Sequence, residues 1–197
     1  MKMSKGEETR QFIIERSAPI FNTKGIAATA MSDIMEATRL SKGSLYVHFE
    51  NKDVLAGEVV EYNLNAQSGK IRSQVEKHLT AKDRLFAFID TLSDPLHPPV
   101  TGGCPIMNFG LEADDTNPAI KNKVYRTIEQ SEVWIAEIIK QGIRAGEFKP
   151  GWNYKEFATV MFAMIEGGVM ICRIAGNSTR MKAISGAVKK MITEQLL

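Results

Sequence analysis

The stretch TAMSDIMEATRLSKGSLYVHFENKDVL, residues Thr29 to Leu55, decides how the whole chain is read, because it places two short helices, a tight turn and a row of phosphate-seeking side chains in one short segment. Ser32 or Thr29 can cap a first helix whose apolar residues Ile34, Met35 and Ala37 face inward, while Asp33 and Glu36 suit its positive N-terminal end. After Thr38, Arg39 and Leu40, Ser41 offers a second cap, and Leu45 and Phe49 fall four residues apart on one buried face. The opposite face is left to Lys42, Ser44, Tyr46 and His48, the charged, hydroxyl and ring-nitrogen groups that phosphates and base edges accept. Asn51 then caps another helix, with Lys52 in its first turn placed to reach a phosphate. The pattern is that of a DNA-binding helix-turn-helix, and the expected DNA contacts are Thr29, Lys42, Gly43, Ser44, Tyr46, His48 and Lys52.

Working outward, a helix from about Glu7 to Lys24, with Phe12, Ile13, Ala18, Ile20 and Phe21 apolar and Gly25 stopping it, would brace this motif. From Lys52 the helical pattern continues to about Leu79, with Gly69 as a point where it can bend or break. Further helices are expected over Ala81–Leu92, Cys104–Asp114, Pro118–Ala145, Tyr154–Ala175 and Thr179–Leu196, and the Pro- and Gly-rich SDPLHPPVTGG reads as a loop. The expected fold is all-α, with about nine helices: a three-helix DNA-binding domain over residues 1–53 and a helical ligand-binding and dimerisation domain over 54–197.

The order of a capped helix, a turn, the SKGSLY recognition helix, an aromatic pair and the NKDVL helix start resembles the TetR (tetracycline-repressor) family of bacterial transcriptional regulators. The resemblance is dense from about Thr9 to Leu55; beyond that only length and all-helical layout match. It implies phosphate contacts at Tyr46 and Lys52 and places Lys42, Gly43 and Ser44 at the groove-facing start of the recognition helix. The chain departs from the family at Arg39, where a glycine is usual in the turn and a positive φ disfavours any residue with a Cβ.

Charge and composition narrow the partners. The 197 residues carry a net charge of only +2, so affinity for nucleic acid has to come from local placement, and between Arg39 and Lys52 the charges are Arg39, Lys42 and Lys52 against Glu50 alone. With 44% hydrophobic residues a real core is expected. Cys104 and Cys172 do not form a metal-type spacing, and no signal peptide or membrane span is read; the chain is expected to be cytoplasmic, with no cofactor, no metal and no catalytic residue.

The apolar helix from Tyr154, carrying Ala158, Ala163, Gly167 and Gly168, and the last helix with Ala183, Gly186 and Ala187 suit close approach across a symmetric interface. Together with the resemblance this implies a homodimer whose two heads read a palindromic operator in double-stranded DNA. A small-molecule effector is expected in a pocket lined by Phe86, Cys104, Met107, Phe109, Trp134, Phe162 and Met164, since flexible Met beside flat aromatic rings adapts to apolar ligands. Two alternatives remain open: thiol-based sensing of electrophiles through Cys104, which follows Gly102-Gly103 and precedes Pro105, and, remotely, a Cys-dependent enzyme pairing Cys104 with His97.

Overall fold

The computed structural model describes residues 3–197. Among them the chain forms nine helices and no strand: α1 (Lys5–Lys24), α2 (Met31–Thr38), α3 (Lys42–His48), α4 (Lys52–Val75), α5 (Ala81–Leu92), α6 (Pro105–Ala113), α7 (Pro118–Arg144), α8 (Tyr154–Ala175) and α9 (Thr179–Thr193). The all-α expectation holds. Helix ends follow local chemistry. Ser4 and Glu7 exchange hydrogen bonds at the start of α1, where the Glu7 carboxylate accepts the Ser4 N–H at 2.7 Å and is held below its ordinary pKa by it. Thr80 and Asn153 cap α5 and α8 through the N–H groups of Asp83 and Glu156. Gly176, at φ 67°, ends α8.

Two local expectations are corrected. Helix α4 runs through Gly69 without a break and ends at Val75 rather than near Leu79, which is almost fully exposed. A single exposed glycine costs only about 1 kcal/mol within a helix, too little to break one otherwise anchored by buried residues. The cap of α2 is neither Ser32 nor Thr29: Ala30 occupies that position, and the Asp33 carboxylate accepts its N–H at 2.9 Å. Asp33 also receives the Lys24 ammonium at 2.8 Å, and that ion pair first, then the Ala30 N–H, holds its carboxyl below the usual range.

The chain packs as two compact units, Met1–Gln67 with Val100–Tyr125, and Ser68–Pro99 with Arg126–Leu197. Within the first unit, polar ties described below hold the 101–112 segment and the first half of α4 against α1. In the first unit α1 packs on α2, α3 and α6, around the fully buried Ile13, Phe21, Ile34, Leu45, Leu55 and Phe109. Asn63 of α4 donates to the Ala18 carbonyl of α1 at 3.1 Å.

In the second unit α8 packs on α9 and α5. Gly168 permits the close approach: a Cβ there would lie 3.1 Å from Met181 and Ile184 of α9. Helix α8 is long and apolar enough to cross a membrane by length and composition, yet Met161, Ile165, Val169 and Cys172 are buried within this unit. Its other face, with Val160, Ala163, Met170, Ile171 and Ile174, is exposed.

Candidate nucleic-acid interface

Helix α3 is seven residues long and starts from Ser41, whose hydroxyl accepts the Ser44 N–H at 3.2 Å. Leu45 and Phe49 are buried, as their spacing requires, and they fix the helix on the first unit's core. The Phe49 ring is covered by the Arg10 guanidinium, 4.5 Å from its centroid, while Arg10 forms a two-pronged ion pair with Glu58 of α4. One arginine of α1 thereby ties the end of the recognition helix to α4.

The outward surface of α3 carries Lys42, Gly43, Tyr46 and Val47, with Ser44 and His48 half-buried at its borders. The Lys42 ammonium lies 5.9 Å from the Tyr46 ring centroid, one helical turn away. Val47 is 80% exposed, and the spacing 42, 44, 46 and 48 passes over it because that alternation is the period of a strand. On a helix Val47 follows Gly43 by four and Ser44 by three, which puts all three on one face; that spacing was the signal available. Gly43 has open space where a Cβ would stand, so the backbone there is bare to a groove.

Thr29 is not on this surface. It is fully buried, and its hydroxyl donates to the Gly25 carbonyl at 2.6 Å, closing the loop between α1 and α2. Lys52, at the start of α4, turns back on the same loop: its ammonium donates to the carbonyls of Ile26 at 2.8 Å and Thr29 at 3.0 Å, with Ala27 at 3.4 Å. Asn51 caps α4 through the Val54 N–H at 2.9 Å, as the sequence indicated.

The turn of the motif is held by Thr38, whose hydroxyl donates to the Ile34 carbonyl at 2.6 Å and accepts the Leu40 N–H at 3.3 Å. Between them Arg39 takes φ 57°, the one non-glycine residue with positive φ among the described residues. The departure noted in the sequence is therefore accommodated by the left-handed conformation itself, and not by a different path of the chain.

The expected effector-lining residues divide between the units. Cys104, Met107 and Phe109 belong to the first; Phe86, Trp134, Phe162 and Met164 belong to the second. Cys104 is buried ahead of α6, and its sulfur accepts the Gln67 side-chain amide at 3.4 Å, while Gln67 Oε1 is buried with no partner. In the second unit Trp134 packs on Phe88 at 5.9 Å, under the Arg72 guanidinium at 4.7 Å, and edges a small cavity of about 70 Å³ with Ser131 and Thr127. The ammonium groups of Lys82 and Lys189 lie 5.5 Å and 5.0 Å from the Phe86 ring centroid, Phe109 and Phe162 are buried, and Met107 and Met164 are half-buried. His97 pairs with Asp94 at 2.9 Å on an exposed loop.

A capped seven-residue helix presented by a three-helix core, with hydroxyl, cationic, aromatic and apolar side chains outward, defines a helix-turn-helix DNA-binding regulator. Comparison with known proteins gives the family. Residues 13–59 match the profile of bacterial regulatory proteins of the tetR family, and residues 81–188 match a tetracyclin repressor-like C-terminal domain. The chain belongs to the TetR family of transcriptional regulators. It is similar over its full length to a TetR-family regulator from Cytophaga hutchinsonii, with 34% identity, 100% and 99% of the two chains covered and a TM-score of 0.93. A TetR regulator from Chloroflexus aurantiacus J-10-FL is 35% identical over 98% of each chain, with a TM-score of 0.92. The HTH-type transcriptional regulator LmrA of Bacillus subtilis is 29% identical over 193 residues, 96% of this chain and 99% of its own.

Proposed function

We propose that this protein is a cytoplasmic repressor that binds a palindromic operator as a homodimer and leaves it when a small-molecule effector binds. The observation that carries the reading is the pairing of an exposed reading face on α3 with an uncovered apolar stripe on α8. Val160, Ala163, Gly167, Met170, Ile171 and Ile174 recur at helical spacing on that stripe, and Ala183, Gly186, Ala187 and Met191 do so on α9. Joining two such faces about a two-fold axis removes apolar surface from water, and a palindromic operator offers the two α3 helices of such a dimer half-sites roughly 34–36 Å apart. On the reading face Lys42 and Tyr46 serve phosphates, Gly43 and Ser44 approach the base edges, His48 borders the groove, and Val47 offers an apolar surface to a thymine methyl group.

The effector is read as an apolar molecule with a hydrogen-bond donor. Gln67 Oε1 is a buried acceptor left unsatisfied beside Cys104, a condition that a ligand donor relieves. Burial of the Cys104 thiol favours a packing and lining role over reaction with electrophiles, which requires access. The relatives favour regulation over the enzymatic alternative, since they are transcriptional regulators.

Gel-shift titration with the DNA flanking its own gene, at two salt concentrations and with a panel of apolar ligands, tests the reading. A sequence-specific, salt-sensitive complex that dissolves with one ligand class is expected. Absence of sequence-specific binding contradicts it.

A further inference from the structure

We propose that Glu112, in the last turn of α6, is a positioning residue for operator binding: its carboxylate holds the α1–α2 loop and so sets the angle at which α2 and α3 are presented to DNA. The inference rests on the two-headed operator reading above. Glu112 is the one charged residue of α6. Its two oxygens accept consecutive backbone N–H groups of the loop, Oε2 from Ile26 at 2.8 Å and Oε1 from Ala27 at 2.7 Å. Such charge-assisted bonds to main chain are stronger than neutral ones and directional.

The loop is built for this grip. Gly25 has φ +84°, and a Cβ there would stand 2.9 Å from Glu112 Oε2, so glycine is required both by the backbone and by the approach of the carboxylate. On the carbonyl side of the same residues stands Lys52 of α4. The peptide groups from Ile26 to Thr29 thus lie between a carboxylate facing their N–H groups and an ammonium facing their carbonyls, each charge placed where the peptide dipoles favour it.

A second tie secures the segment that carries Glu112. Asn22, buried at the end of α1, donates to the carbonyls of Thr101 at 2.8 Å and Gly103 at 3.0 Å, and Asn108 of α6 donates back to the Asn22 carbonyl at 2.8 Å. Gly102, at φ +98°, makes room for this contact: a Cβ would meet the Asn22 carbonyl carbon at 2.8 Å. Residues 101–112 therefore hold the exit of α1 and the entry to α2 through polar bonds at two points. The motif's own core, with Ile13, Ile34, Leu45 and Leu55 fully buried, does not include the Glu112 carboxylate, which is only half-buried. Loss of the Glu112 carboxylate frees the orientation of the motif while leaving its fold intact.

The experiment uses the full-length protein and its Glu112→Ala and Glu112→Gln variants. Each is titrated with an operator obtained by binding-site selection, with the same operator lengthened or shortened by one base pair at its centre, and with random DNA. For the wild type, tight binding to the selected spacing and weaker binding to the altered ones is expected. Glu112→Ala should lose about tenfold in operator affinity and flatten the preference among the three spacings, with affinity for random DNA and the salt slope unchanged. Glu112→Gln, which keeps one acceptor, should fall between. If the alanine variant does not fold, the glutamine variant alone decides, since a wild-type spacing profile there overturns the proposal. A wild-type profile in Glu112→Ala overturns it equally. Failure of the wild type to select any DNA sequence overturns the operator reading itself, and this inference with it.

Discussion

The ammonium of Lys52 lies 2.8 Å from the carbonyl oxygen of Ile26, and 3.0 Å from that of Thr29, so the first residue of α4 is bonded to the loop that precedes α2. Its protons are directed at main-chain acceptors, so its effect on DNA binding is expected to run through the position of the loop. Lys52→Ala should lower the stability of the protein by about 1–2 kcal/mol and weaken binding to every DNA sequence. The slope of log affinity against log salt should change by well under the ~0.9 that one lost phosphate contact produces. Salt titrations of the wild type and variant measure this; a full unit of slope would place Lys52 on a phosphate.

Arg39 is expected to be a site of stored strain. At φ 57° a residue with a Cβ is disfavoured by about 1–2 kcal/mol, which glycine avoids while losing some chain entropy on folding. Arg39→Gly should therefore stabilise the protein by about 0.5–1 kcal/mol in denaturant unfolding. A loss of stability would mean that the Arg39 side chain makes compensating contacts in the folded state.

Val47 should determine sequence preference without affecting stability. It is too exposed for the core to depend on it, and a methyl-bearing face beside Gly43 and Ser44 favours thymine over cytosine in the major groove. Val47→Gln should change the base preferred at one position of each half-site, with a penalty of about 1–3 kcal/mol on the original operator. Binding-site selection on both proteins reads this out. Identical selected sequences would show that Val47 stays out of the groove.

Gly142 is expected to be irreplaceable for packing. A Cβ there would come within 2.5 Å of the Phe148 ring and 2.7 Å of the Ala81 Cβ, both fixed inside the second unit. Gly142→Ala should cost about 1–3 kcal/mol by overpacking, seen as a lowered midpoint in thermal unfolding. An unchanged midpoint would mean that Phe148 can swing aside.

How much of this was legible in the chain follows from how local each determinant is. The spans of α5 and α8 were readable because a cap, an apolar period and a following stop signal lie within each segment itself. Leu45 and Phe49 declared the buried side of α3 for the same reason. The cap of α2 was misread because three hydroxyl and carboxylate residues compete there, and which one turns towards an N–H depends on tertiary partners: Gly25 captures Thr29, and Lys24 steadies Asp33. The outward side of α3 was half legible, since Lys42 and Tyr46 are where helical spacing puts them while Val47 was passed over. Glu112 was invisible. Its partners lie 85 and 86 residues earlier, and no periodicity or motif marks a carboxylate that bonds to main chain so far away.

The central claim is that two copies of this chain, joined through α8 and α9, read one operator. Sedimentation of the protein with a selected operator duplex, for the wild type and for Ile174→Glu on the exposed stripe, tests it most directly. The account predicts two wild-type protomers per duplex, and for Ile174→Glu a folded monomer with operator affinity reduced to that for random DNA. One wild-type protomer bound tightly to a single operator, or an Ile174→Glu protein that binds as the wild type does, would contradict it.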